Sequence, residues 1–268
     1  MGNITDDIRQ HFDTFAELPF TEADSLALSQ LAYARMPDNV PRYHENAETA
    51  DGMIVTVPIH DLLRAECYDD MFGKVWSPSM NVDLLRAMSE SPRWRNLRVG
   101  AYVDEFDAET TKQFSACVFE LGNGKLYVAF RGTDSSIVGW KEDFMMAFRR
   151  PVASQEAAAC YLTELADHWA GPIMVGGHSK GGNLAVYAAA NVPSEIQERI
   201  AVVYSHDGPG FDEAFFDEDG YVRIASKIHK SVPGSSIIGM LFETREHVED
   251  GYTVVSSDRS EERRVGKE

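Results

Sequence analysis

Among the 268 residues, no apolar run approaches the roughly 20 that a membrane-spanning helix needs. Basic residues are scarce beside acidic ones. Lys and Arg number 25 against 43 Asp and Glu, a formal net charge of -18. A surface of that sign repels nucleic acid and anionic membrane, so neither is expected as a partner. Cysteine is rare as well. Cys67, Cys117 and Cys160 are scattered, odd in number and form no CxxC pair, which argues against a disulfide framework. Each is expected to fill core. There is no HExxH, and no His/Cys cluster has ligand spacing, so neither a metal nor another cofactor is expected. The opening segment, MGNITDDIRQHF, lacks the basic and apolar regions of a secretory signal. It nearly fits a myristoylation site, but Asp6 stands where Ser or Thr belongs. The expectation is a cytoplasmic protein.

What the sequence does hold is a core. Hydrophobic residues make up 44% of the chain, enough to bury one large domain. TEADSLALSQLAYARM reads as a helix, with Thr21 as cap and Asp24 completing a capping box. Leu28, Leu31 and Ala32 then share one face. NVDLLRAMSESP reads as a second helix, stopped before Pro92. QFSACVFEL and KLYVAFRG form a hairpin through Gly122-Asn123-Gly124. SQEAAACYLTELADHWAG is a helix with Gly171 as its stop. PIMVGG is a short apolar strand, KGGNLAVYAAANV a helix ending before Pro193, and RIAVVYSHD another buried strand. GYVRIASKI and GYTVVSS are further strand candidates. Strands alternating with helices imply an α/β fold with a mostly parallel sheet flanked by helices.

Gly177-His178-Ser179-Lys180-Gly181 fits G-x-S-x-G, with an apolar strand before it and a helix after. A serine at the tip of such a turn occupies strained backbone. Side chains two positions either side would collide, so Gly177 and Gly181 carry none, while Gly182 lets the helix pack close to the sheet. The helix N-terminus aims free amides at the reacting oxygen. The competing reading is a glycine-rich turn whose serine merely caps the helix. Lys180 has two readings, steering an anionic substrate or solvating the first helical turn, and the second is expected. His178 is expected to pack beside the sheet rather than act as base.

YVAFRGTDSSIVGWKEDF, together with GHSKGG, resembles the class 3 (fungal-type) lipases, whose strand ends in an F-R-G-[ST] turn followed by a Trp and an acidic residue. The resemblance implies that Thr133 helps form an oxyanion hole, with the backbone N–H of Lys180 as second donor. DSLALSQLAY, QFSACVFEL, FRGTDSSIVGWKEDF, GHSKGGNLAVYAA, HDGPGF and VPGSSIIGML resemble more closely a poorly characterised, largely bacterial domain family that shares these lipase features. That likeness covers most of the chain. It implies an α/β-hydrolase fold built as strand, nucleophile elbow and helix, and it suggests a serine hydrolase acting on a small-molecule or lipid acyl substrate. It supplies no particular substrate.

Triad order in this fold is Ser, then acid, then His. Asp207 closes the strand IAVVYSHD and opens Gly208-Pro209-Gly210. It is read either as the acid that orients the imidazole or as a turn-forming residue, with function preferred through the resemblance. Class 3 lipases place the acid after the next strand, before Val-Pro; here HKSVPGSS offers Lys230 and Ser231 and no carboxylate. The histidines well past Asp207 are His229, expected to be structural, and His247, the candidate base. The resemblance implies a His-Asp segment after the last strand, but DRSEERRVGKE contains no histidine. We therefore expect the natural chain to continue differently past Ser257. Residues 1–20 are read as an N-terminal extension, 21–258 as a single hydrolase-like domain and 259–268 as a charged tail, either foreign or an ordinary frayed terminus. SSIVGWKEDFMMAFRRPV, with Trp140, Phe144, Met145, Met146 and Phe148, reads either as a mobile cover over the site or as an amphipathic packing segment. The alternative to an enzyme is a catalytically incomplete hydrolase-fold protein used for binding or regulation.

Overall fold

The computed structural model describes residues 3–43, 54–122, 124–133, 139, 142, 145–146, 150–232, 254–256 and 262–264. A seven-stranded sheet forms the centre, with strands in sequence order: β1 (Thr56–Pro58), β2 (Arg98–Asp107), β3 (Lys112–Glu120), β4 (Leu126–Phe130), β5 (Ile173–His178), β6 (Ile200–His206) and β7 (Ile228–Ser231). The first four pair antiparallel, and the parallel part is confined to β4–β7. A separate pair, β8 (Val254–Ser256) and β9 (Glu262–Arg264), runs antiparallel.

Both faces of the sheet are covered, which is why its central strands are apolar throughout rather than alternating. Val118, Val128, Val175 and Val203 face one core; Phe119, Tyr127, Ala129, Met174 and Tyr204 face the other. On the second face lie α1 (Ile4–Gln10), α2 (Glu22–Leu31), α3 (Tyr68–Phe72) and α4 (Pro78–Glu90). On the first lie α5 (Ala153–Asp167), α6 (Lys180–Asn191), α7 (Ser194–Arg199), α8 (Glu213–Phe216) and α9 (Asp219–Ile224).

Helix α2 starts as its sequence predicts. The Thr21 hydroxyl accepts from the Asp24 amide, and the Asp24 carboxylate accepts from the Thr21 amide. The same carboxylate holds Arg93, whose guanidinium also donates to the carbonyls of Asp13 and Leu18 at 2.7 and 3.0 Å. One capping residue thus ties the N-terminal segment to the body. Leu28, Leu31 and Ala32 are all buried.

Three expectations need correction. GYVRIASKI is not a strand until Ile228: Asp219–Ile224 is helical, because Tyr221 and Ile224, one turn apart, are the residues that reach the core while Val222 stays exposed. Helix α5 ends at Asp167, with His168 as its C-cap, so Gly171 is not its stop. Of the cysteines, Cys117 is core, Cys67 is half-buried and packs against the core, and Cys160 is exposed and fills none. The β3–β4 hairpin is present, with Gly122 and Gly124 both at positive φ; Asn123 lies outside the described residues. No described helix is long and apolar enough to cross a membrane.

Candidate active site

Strands β4, β5 and β6 run parallel and end together. Phe130 is registered with Gly177, and His178 with His206. The segments that leave these ends, Arg131–Thr133, Ser179–Lys180 and Asp207–Gly210, therefore emerge as neighbours. The sheet topology brings together Thr133, Ser179 and Asp207, which are far apart in sequence.

Ser179 sits between β5 and α6 with φ 55° and ψ -128°, a left-handed backbone that costs an L-residue about 1–3 kcal/mol. Its amide donates to the His206 carbonyl at 2.8 Å, and its own carbonyl accepts from Gly182 at 2.9 Å. Its hydroxyl makes no capping bond to the helix, which removes the reading of an incidental cap. The residue is half-buried, not sealed in the interior. The glycines are steric necessities. A Cβ on Gly177 would strike the Gly181 backbone and come within 2.6 Å of the Phe130 carbonyl oxygen. One on Gly181 would strike that same oxygen, and one on Gly182 would lie 2.9 Å from the Ser205 hydroxyl. The collision expected between positions two either side is real, and the end of β4 adds to it. Gly132 faces the same constraint from the other side, since a Cβ there would stand 2.6 Å from the His178 carbonyl oxygen. The Thr133 loop thus lies directly against the elbow, and Thr133 itself is half-buried. Lys180 is the first residue of α6, where a backbone amide has no acceptor within the helix.

The Lys180 side chain overturns the expected surface role. Its exposure is 1%, and its ammonium donates to the Glu142 carboxylate at 3.0 Å and to the Gln113 carbonyl at 2.8 Å. It solvates nothing and steers no ligand. Burying an ammonium is tolerable only when it is paired, and here both ends of the pair are inside.

Asp207 also has a left-handed backbone, φ 53°, and is buried. Its amide donates to the Ser231 carbonyl at 2.7 Å. The loop after it is clamped by Asn183, whose amide group donates to the Pro209 and Gly210 carbonyls at 3.0 and 3.2 Å and accepts from Gln155 at 2.8 Å. Sequence reading missed Asn183. The signal was GGN and HDGPG occurring in one chain, a pairing whose contact only the fold displays.

His206 is fully buried, bonded to Ser25 at 2.8 Å and to Ser231 at 2.7 Å, and Tyr204 stacks on it. Ser25 reaches on to the Tyr127 hydroxyl, which also meets Ser29. This chain of polar groups fastens α2 to the ends of β6 and β7. His178 is half-buried, with Nδ1 3.0 Å from the Tyr33 hydroxyl. His229 is half-buried with its ring 5.7 Å from that of Tyr204. The candidate base, His247, lies outside the described residues, as do Trp140, Phe144 and Phe148. Of the segment read as a cover, Gly139 and Glu142 are buried and Met146 packs against the core, so these residues serve packing. Among the described residues, no group of three His, Cys, Asp or Glu is placed to hold a metal ion.

The sequence profile of the Mbeg1-like family matches residues 88–262, more than half of the chain and all of the elbow region. The chain belongs to the Mbeg1-like family. That match takes in Thr133, Ser179, Lys180 and Asp207 together. No curated protein matches the chain in sequence. Among solved structures, it resembles M37 lipase at 18% identity and a TM-score of 0.47, over 82% of this chain and 69% of that one. It resembles the Rhizomucor miehei lipase in its propeptide complex at 18% identity and a TM-score of 0.44, over 91% and 84%. A triacylglycerol lipase from Penicillium expansum is similar at 11% identity and a TM-score of 0.42, over 85% and 86%.

Proposed function

We propose that this member of the Mbeg1-like family is a serine hydrolase that cleaves a carboxylic ester, small or lipid, with Ser179 as nucleophile. One observation carries the reading: a half-buried hydroxyl on a strained strand-to-helix turn, making no capping bond to the helix behind it. Strain of this kind persists only where the surroundings enforce it, and here four glycines on two adjoining segments allow the close approach that does so.

In the reaction, Ser179 Oγ attacks the ester carbonyl carbon while its proton passes to a base. The developing oxyanion is held by the amides of Thr133 and Lys180, the second backed by the N-terminal dipole of α6. Collapse breaks the bond to the alcohol, which leaves with the proton from the base. Water then attacks the acyl-enzyme by the same route, releasing the carboxylic acid and restoring the serine. Asp207 orients the imidazole of the base, and His247 is the candidate for that base.

The second reading, a hydrolase-fold protein that binds without turnover, is favoured by the end of β7, where buried Lys230 and Ser231 stand in place of a carboxylate. A fluorophosphonate probe separates the two. Labelling of the parent chain that disappears in Ser179→Ala is the result expected of a hydrolase; a chain that never labels is the binding protein.

A further inference from the structure

The variable position of the elbow, Lys180, sends its side chain inward to a carboxylate that belongs to no neighbouring element of the site. Glu142 is fully buried and satisfied on both oxygens. Oε2 accepts from the Lys180 ammonium and from the Gln113 amide, each at 3.0 Å. Oε1 accepts from the Ser154 amide in the first turn of α5, also at 3.0 Å. The ammonium closes the ring by donating to the Gln113 carbonyl at 2.8 Å. One carboxylate therefore joins the start of β3, the start of α5 and the start of α6. Three residues before it, Gly139 is seated against Thr133: a Cβ there would stand 2.6 Å from the Thr133 methyl group.

Both proposed oxyanion donors are thus held by the same short stretch, Lys180 through a charged pair and Thr133 through contact with Gly139. From this we infer that Glu142 is a positioning residue for the oxyanion hole, an inference that rests on the serine-hydrolase reading above. A buried ion pair is weak as a source of stability, because desolvation offsets attraction, but its directional bonds fix a geometry. Oxyanion stabilisation depends on such fixed geometry, since donors help only where the charge develops. Glu142 touches no substrate; it acts by keeping two amides aimed at one point.

The test compares the parent chain with Glu142→Gln and with the double variant Glu142→Gln/Lys180→Met, which removes both charges and strands neither. Each is reacted with a range of fluorophosphonate concentrations, and the labelled fraction at completion, the saturating rate constant and the half-saturating concentration are measured separately. Loss of folded protein lowers only the labelled fraction; misplaced donors lower the rate constant. The expected result for both variants is a rate constant down about 10- to 100-fold, with half-saturation unchanged and the double variant labelling to completion. A double variant that labels at the parent rate, or whose labelling falls only with its folded fraction, overturns the positioning role. A parent chain that does not label overturns the hydrolase reading, and the role of Glu142 with it.

Discussion

Ser179 and Asp207 each follow one member of the registered pair His178 and His206, and both take a left-handed backbone, at φ 55° and 53°. Two non-glycine residues are thus held in disfavoured conformations at the ends of adjacent parallel strands. Glycine would relieve about 1–3 kcal/mol of strain at Ser179 and lose about 0.5–1 kcal/mol through the freer unfolded chain. Ser179→Gly is therefore expected to stabilise the fold by about 1 kcal/mol while abolishing labelling. The urea midpoint measures it; a lower midpoint would show that the turn is not strained.

Asn183 holds the loop that follows Asp207. Asn183→Ala leaves two buried carbonyls and the Gln155 amide group without this partner. The expected cost is about 1–3 kcal/mol, with faster amide exchange confined to Asp207–Gly210 and α6. Uniform exchange across the sheet would point to global destabilisation instead.

His206 fastens α2 to the parallel strands through Ser25 and Ser231. His206→Ala removes both bonds and opens a cavity in a fully buried position, at an expected cost of about 2–4 kcal/mol. Limited proteolysis should then cut first before α4, where the N-terminal helices lose their anchor. An unchanged cleavage pattern would contradict that anchoring role.

Alkaline pH probes the two cores. Burial, aided by nearby Asp104, pushes the Tyr102 phenol up to about 12, and burial raises Tyr127 and Tyr161 as well. The unfolded chain releases these protons near pH 10 while the folded chain retains them. Their contribution is therefore complete below about pH 10 and is lost as pH rises through the folded values. The last part of the rise in tyrosine absorbance, which comes from these buried phenols, should coincide with the loss of circular dichroism above pH 10. Ionisation of these phenols without loss of structure would contradict their burial.

The parts of the site that rest on local chemistry were legible in the sequence. The capping box of Thr21 and Asp24 needs only four residues, and the Gly177–Gly182 turn only six. The burial of Lys180 is not legible locally because its partner is 38 residues away, and nothing near the elbow signals a buried carboxylate. Strand β2 is not legible in the sequence because its pattern breaks at a bulge between Gly100 and Val103, where Ala101 takes a positive φ. Asp219–Ile224 reads as a strand in sequence because a helix of under two turns shows too few residues to fix its period.

The central claim is that an oxyanion formed on Ser179 lies between the amides of Thr133 and Lys180. A crystal structure of the chain after reaction with an alkyl phosphonate tests it directly. The account predicts phosphorus bonded to Ser179 Oγ, with the phosphoryl oxygen about 2.7–3.1 Å from both nitrogens. A phosphonyl group on another residue, or one on Ser179 whose oxygen points away from both amides, would contradict it.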